Sequence, residues 1–168
     1  NLVNEFSDFA RMPKPTLRKN NLVILLKENI KLLKELDNSI EIDLSTNSKK
    51  IILNSDKEQI SRVFLNLIKN SIESIQQKAE NESNYNKKIT IELTEYDSHI
   101  NLIIIDNGVG FEKFSENIKD IVNPYFTTKK NGTGLGLSIV NKIISDHNGK
   151  IEFIRRNDGA EIKINFVK

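Results

Sequence analysis

Apolar residues along this chain recur with two different periods, and the switches between them mark out its elements. Leu2, Val3, Phe6, Phe9 and Ala10 repeat at helical spacing, which predicts the end of a helix over Leu2–Met12. Pro13 and Pro15 stop it, because proline lacks an N–H donor and disfavours a helical residue before it, so Pro13–Lys19 reads as a linker. Asn20 or Asn21 then caps a helix reaching about Leu36, with Leu22, Leu25, Leu26, Ile30, Leu33 and Leu36 as its apolar stripe. Ile40, Ile42 and Leu44 alternate with Glu41, Asp43 and Ser45 as a half-buried strand, and Lys50–Leu53 is a short second one. Ser55-Asp-Lys-Glu58 has the form of a capping box, so a long helix starts there and runs to about Ala79.

After the polar loop Asn81–Lys87, the alternation of Ile89, Ile91 and Leu93 predicts a strand. Ile100–Asp106 is another, whose apolar run Leu102–Ile105 predicts burial on both faces, and His99 falls in the turn between the two. Gly108–Thr133 carries little regular pattern beyond a turn of helix near Glu116–Val122. Gly132–Gly136 precedes a helix through about His147, ended by Asn148-Gly149. Ile151 and Phe153, then Ile162, Ile164 and Phe166, make a closing hairpin turned at Asn157-Asp158-Gly159. The sum is an α/β (α+β) two-layer sandwich, with helices on one face of a mixed, mostly antiparallel sheet.

Composition narrows the chemistry. The 168 residues fit one domain with a short appendage. Zero cysteines exclude disulfides, thiolate zinc sites, iron–sulfur clusters and cysteine nucleophiles, and two histidines leave little room for a histidine metal cluster. A net charge of +2 is too small to argue for nucleic acid or an anionic membrane surface. No stretch approaches the roughly 20 apolar residues of a spanning helix. The opening Asn-Leu-Val-Asn-Glu-Phe is neither a signal peptide nor an initiator methionine, so the chain is expected to be part of something longer. Twenty lysines against five arginines, with abundant isoleucine and asparagine, look like codon bias and lower the weight of any single Asn or Lys.

Four segments are candidates for chemistry. On the long helix, Asn66, Asn70 and Glu73 are spaced i, i+4, i+7 and share a stripe bordering the apolar one. Asparagine inside a helix costs roughly half a kcal/mol relative to alanine, and its amide oxygen is a hard, neutral ligand that suits magnesium. The plain alternative is two asparagines on a wet face. Asp106-Asn-Gly-Val-Gly-Phe111 follows a strand directly, where a carboxylate can accept from an exocyclic amine and glycines let backbone approach a flat ring; the alternative is an ordinary turn. In Pro124-Tyr-Phe-Thr-Thr-Lys129, hydroxyls and a lysine are suited to phosphate, although a surface loop with two buried aromatics fits as well. Gly132-Thr-Gly-Leu-Gly-Leu137 opens a helix, whose free N–H groups and positive end hold phosphate; it is neither a P-loop nor a dinucleotide fingerprint.

The order of the four segments resembles the ATP-binding domain of sensor histidine kinases over about residues 20–168. Asn66-Leu-Ile-Lys-Asn70 is similar to its N box, Asp106–Gly110 to its G1 box, Pro124–Lys129 to its F box and Gly132–Gly136 to its G2 box. The wider superfamily includes gyrase, a heat-shock chaperone and mismatch-repair ATPases. The stretch Leu2-Val-Asn-Glu-Phe-Ser-Asp-Phe-Ala-Arg-Met-Pro-Lys-Pro is similar to the end of the dimerisation helix in nitrogen-regulation sensor kinases of the NtrY type. The resemblance implies a Bergerat ATP-binding fold, with residues 1–15 as the end of a dimerisation and phosphoacceptor helix plus linker, and 16–168 as the catalytic domain. It implies ATP and Mg2+ as cofactors. Asp106 falls on the adenine-binding carboxylate and Asn70 on the magnesium ligand, with Asn66 beside it at metal or phosphate and Lys69 approaching phosphate. Gly108 and Gly110 would allow the adenine pocket and a lid hinge. Thr128, Lys129, Gly132, Thr133, Gly134, Leu135 and Gly136 would line the phosphates, and Phe111–Thr133 would form a mobile lid over ATP.

Implied partners are the upstream dimerisation domain, a response regulator and, in the full-length protein, a second copy of the chain. Nucleic acid and membrane are not expected to contact this fragment. The domain would be cytoplasmic and the full-length protein anchored in the bacterial inner membrane. Two departures matter. ATPase members carry a general-base glutamate one turn before the magnesium asparagine; here that position is Asn66, and a neutral amide cannot be a base, so slow hydrolysis is expected. Glu73 lies on the other side and is expected to pair on the helix or orient a metal water. Neither histidine has the His-Glu/Asp-x-x-x-Pro context of a phosphoacceptor: His99 reads as a turn residue and His147 as a cation suited to a helix C-terminus. The rival readings are an ATP-hydrolysing conformational switch of the same superfamily and a non-catalytic nucleotide-binding module.

Overall fold

The structure, a computed structural model, describes residues 11–111 and 136–168. The helix expected over Leu2–Met12 lies outside them except for its last two residues. The turn of helix near Glu116–Val122, the Pro124–Lys129 segment and Gly132–Leu135 also lie outside.

Among the described residues, seven strands and three helices follow in chain order: β1 (Arg18–Asn21), α1 (Leu22–Lys34), β2 (Glu41–Thr46), β3 (Ile52–Ser55), α2 (Lys57–Ala79), β4 (Lys88–Glu95), β5 (His99–Asp106), α3 (Gly136–Asp146), β6 (Gly149–Arg155) and β7 (Ala160–Val167). The main sheet has the order β2-β4-β5-β7-β6, and β1 and β3 form a separate antiparallel ribbon. β2 runs parallel to β4, and the other main-sheet pairs are antiparallel. The parallel pair is possible because α2 lies between β2 and β4 in the chain and supplies the long crossover it needs.

Alternation decides which face is covered. Ile89, Ile91, Leu93, Ile100, Leu102, Ile104, Ile162, Ile164 and Phe166 are all buried on the face that meets the helices. Phe64, Leu67 and Ile68 of α2 are sealed from solvent against them. α2 packs against both α1 and α3, and so forms the middle of the helical layer.

Five expectations are corrected. Arg18 and Lys19 belong to a strand rather than a linker, and the chain before them is also tied down, since Gln59 Nε2 donates to the Pro13 carbonyl at 3.0 Å. The cap of α2 is Asp56, not Ser55: Asp56 Oδ1 accepts the Gln59 N–H at 3.1 Å, and Ser55 is a buried strand residue whose hydroxyl donates to the Leu53 carbonyl at 3.2 Å. Asp56 wins because it also accepts the Thr16 N–H at 2.8 Å, a contact from far along the chain. β5 is buried on one face only, with Ile103 and Ile105 half-buried on the open side. His99 is the first residue of β5, not a turn residue, paired in register with Val167.

His147 is the fifth. Its Nδ1 lies 2.7 Å from the Ile143 carbonyl, and its Nε2 accepts the Asp56 N–H at 3.0 Å. An amide N–H can only donate, so Nε2 carries a lone pair and the ring is a neutral tautomer with its proton on Nδ1. It is a buried bridge between the end of α3 and the cap of α2, not a cation on a helix dipole.

Candidate functional site

The alternation that seals the core also aims Asp106. Even-numbered positions of β5 face the helices, so the carboxylate that ends the strand points at α2 instead of the open side of the sheet. It is only 5% exposed. Oδ1 accepts the Gly108 N–H at 2.9 Å, and the Ser71 hydroxyl also donates to the carboxylate. Burial pushes its pKa up to about 6, against the lowering effect of these two hydrogen bonds; Asp158 raises it further and Lys78 lowers it. A carboxylate accepts about four hydrogen bonds, so one held by two donors retains capacity for a ligand donor.

The turn after Asp106 presses directly on α2. A Cβ on Gly108 would lie 2.6 Å from the Ser74 carbonyl carbon and 2.7 Å from the Ile75 nitrogen, so only glycine permits this approach. The Val109 N–H donates to Ser74 Oγ at 3.0 Å. Gly110 has φ +72°, and a Cβ there would meet the Gly159 carbonyl oxygen at 2.5 Å. These contacts bring the backbone of the turn close beside a buried carboxylate.

Sequence reasoning missed Ser71, Ser74 and Lys78. The signal was present: they continue the core-facing stripe of Ile60, Phe64 and Leu67 at i+4, i+3 and i+4 steps. The stripe turns from apolar to small and polar where the glycine turn packs. Tyr85 and Asp158 were also missed, and no local pattern marks them. The Tyr85 hydroxyl donates to the Ile75 carbonyl at 2.9 Å, and burial, followed by the Asp106 charge, pushes its pKa up to about 12.

Asn66 and Asn70 are half-buried on the neighbouring stripe of α2, and Lys69 is exposed. A Cβ on Gly136, the first residue of α3, would lie 3.8 Å from Asn66 Oδ1, so the opening of α3 faces the amide stripe. Asp106 and Gly108 thus meet α2 at Ser71–Ile75, Gly136 meets it at Asn66, and Gly110 packs on Gly159. Thr128, Lys129, Gly132, Thr133, Gly134 and Leu135 lie outside the described residues.

Amide oxygens of this kind suit magnesium, which takes few protein ligands and keeps waters and phosphates. Among the described residues no cluster of three His, Cys, Asp or Glu forms a dedicated metal cage. A cavity of about 580 Å³ opens at the strand ends toward the other face of the sheet, lined among others by Lys88, Thr90, Asp106, Asn107, Arg156 and Asp158. Its charges are engaged with neighbours: Lys88 lies 3.0 Å from Asp43, and Arg156 lies 3.4 Å from Glu161. Asp106 borders this cavity as well, but its carboxylate is held on the helix side, by the Gly108 N–H and the Ser71 hydroxyl.

The profile of the family described as histidine kinase-, DNA gyrase B-, and HSP90-like ATPase matches residues 55–168. The chain belongs to this family. A relative from Rickettsia typhi, named putative sensor histidine kinase NtrY-like, is 37% identical over 99% of this chain and 26% of its own length. The nitrogen regulation protein NtrY of Azorhizobium caulinodans is 32% identical over 95% of this chain and 20% of its own length. The chain thus spans about a quarter or less of these relatives. The solved catalytic domain of the histidine kinase ThkA superposes with a TM-score of 0.76 at 29% identity, over 90% of this chain and 95% of that one. ThkA in complex with the response regulator TrrA gives a TM-score of 0.79 at 26% identity, over 99% of this chain and 46% of that one. The profile begins at Ser55, and α1 and β2, which precede it, pack against α2 and β4 within it.

Proposed function

We propose that this chain is the catalytic, ATP-binding part of a two-component sensor histidine kinase of the NtrY-like type. Residues 16–168 form the catalytic domain, and 1–15 end a dimerisation helix and its linker. The observation that carries the reading is the buried Asp106 carboxylate, aimed at α2 beside the zero-clearance turn at Gly108.

In this reading Asp106 accepts a hydrogen bond from the exocyclic amine of adenine, and the Gly108–Gly110 turn lies along the ring. Asn70 and Asn66 would hold Mg2+, which their neutral amide oxygens suit. When bound, the ion neutralises phosphate charge and orients the triphosphate. Lys69, the N–H groups of Gly132, Gly134 and Gly136, and Thr128, Lys129, Thr133 and Leu135 embrace the phosphates. The γ-phosphoryl passes to a histidine on the dimerisation domain: a P–N bond forms to an imidazole nitrogen as the P–O bond to ADP breaks, and a response regulator then accepts the group. Positioning and charge stabilisation carry such a transfer.

The acceptor is not on the described part of this chain. Both ring nitrogens of His147 are engaged and the ring is buried, and His99 sits at the start of β5, stacked on Tyr96 at 4.6 Å between ring centres. No helix among the described residues is long and apolar enough to cross a membrane. Membrane anchoring and homodimerisation are assigned to the rest of the full-length protein.

The test mixes this chain with the dimerisation domain and γ-labelled ATP. Acid-labile, base-stable label on a histidine is the expected result, with slow release of free phosphate from the chain alone. ATP binding without any labelled histidine defeats the kinase reading. Rapid hydrolysis without label favours a conformational switch.

A further inference from the structure

Four elements converge on the ammonium of Lys78. The lysine stands in the last turn of α2, with its side chain 18% exposed. Nζ donates to Asp158 Oδ1 at 2.6 Å, in the turn between β6 and β7. It also donates to the Asn107 carbonyl at 3.3 Å, in the turn after β5. The same ammonium lies 4.7 Å from the centre of the Tyr85 ring, in the segment before β4. Drawing a flexible, strongly hydrated side chain into one geometry costs it rotamer freedom, so this arrangement needs a return beyond solubility.

The place it holds is the peptide next to Asp106. Asn107 Oδ1 accepts the Lys88 N–H at 2.9 Å, and its Nδ2 donates to the Asn86 carbonyl at 2.6 Å. From the hairpin side, Gly159 (φ +97°) packs so tightly on the Asp106 carbonyl that a Cβ there would overlap it. The peptide carrying the carboxylate is wedged between the hairpin tip and α2, and Lys78 bonds both sides of the wedge. Its charge also opposes the upward push of burial on Asp106.

We propose that Lys78 is a positioning residue for base recognition: it draws the Asp158 turn and the Asn107 carbonyl onto the last turn of α2, and so holds the Asp106 carboxylate where it meets the exocyclic amine of adenine. This inference rests on the reading of Asp106 as the base acceptor.

The test compares two nucleotides by calorimetric titration in magnesium buffer: ATP, and purine riboside triphosphate, which lacks only the exocyclic amine. Lys78→Met is expected to weaken ATP about tenfold, roughly 1.4 kcal/mol. It should leave the analogue within about twofold, because only the amine contact depends on the carboxylate's placement. Lys78→Arg, which keeps the cation, recovers most of the loss. Asp158→Asn removes the other half of the clasp at a side chain 68% exposed, and is expected to lower the ATP-to-analogue ratio in the same direction. If Lys78→Met does not fold, Asp158→Asn decides alone. Equal weakening of both nucleotides reduces Lys78 to a structural role and overturns the proposal. Asp106→Asn separates the two layers of the argument. If it leaves the ratio unchanged, the base-acceptor reading itself fails. If it collapses the ratio while Lys78→Met and Asp158→Asn do not, only the Lys78 assignment fails.

Discussion

Asp56 and Asp106 both lean on α2, one at its N-terminus and one against its C-terminal half, and their surroundings push them in opposite directions. Burial acts on both. At Asp56 it is outweighed by N–H groups from Thr16, Gln59 and Glu58, so the pKa is lowered. Among the described residues, Asp106 accepts from the Gly108 N–H and the Ser71 hydroxyl, and burial wins, pushing it up to about 6. The first aspartate is consumed by the fold as a helix cap. The second is a buried carboxylate held at a strand end, whose raised pKa costs the folded domain stability at neutral pH and which suits a ligand donor. The pH signs follow. Asp56 contributes stability that is present above the ordinary carboxylate range and is lost as pH falls through its lowered pKa. Asp106 binds a proton more tightly in the folded than in the unfolded chain, so stability falls as pH rises from about 4 to about 6 and then levels off. The full swing is on the order of 3 kcal/mol.

The sharpest break in the comparison is Asp106→Asn. It is expected to weaken Mg-ATP binding by about 100-fold, as a buried charge-assisted hydrogen bond of up to about 3 kcal/mol is lost. It should also raise the midpoint of thermal unfolding at pH 7 by about 2–6 °C and flatten stability between pH 4 and 6. Calorimetry and thermal scans over that range check both signs; a lower midpoint at pH 7 would contradict the strain assigned to this carboxylate. Gly108→Ala comes next. Its methyl has no room against Ser74 and Ile75, so the turn must lift from α2 at about 1–3 kcal/mol, seen in urea unfolding, with nucleotide affinity falling alongside.

Asp56→Ala tests the other end of the helix. Loss of the cap is expected to cost about 1–2 kcal/mol of stability while ATP affinity at 20 °C stays within about twofold. If affinity fell as far as stability, the two ends of α2 would not be independent. The smallest effect is Ser71→Ala. Removing one donor from Asp106 is expected to weaken ATP about three- to fivefold near pH 6.5, where the carboxylate is partly protonated, and less at pH 8. An affinity ratio independent of pH would separate Ser71 from the ionisation of Asp106.

Much of this was legible in the chain. The periods of Leu22–Leu33, Ile60–Ile75 and Ile89–Leu93 set helix, helix and strand, because side-chain direction follows the backbone repeat over a few residues. Asp106 with its two glycines, and Asn66 with Asn70, could be nominated as candidates because spacing along one strand end or one helix face is local information. The cap at Asp56 was misread by one residue. The four-residue window contains both Ser55 and Asp56, and the contact that favours Asp56 comes from Thr16. Leu102–Ile105 was read as doubly buried, because an apolar run records hydrophobicity without recording whether a second layer exists to cover it.

By itself the sequence determined the order of most elements and the side of each that is apolar, and it nominated the residues proposed to carry chemistry. Tertiary structure alone decided which polar groups are already satisfied. His147 became a neutral bridge because an N–H from another helix occupies its second nitrogen. Lys78 became part of the candidate site because Asp158, 80 residues on, folds back to within 2.6 Å of it. The reason is physical: periodicity is a property of neighbouring residues, whereas the free energy of a buried polar group depends on every partner that packing brings within about 3 Å, and those partners are distant in the chain.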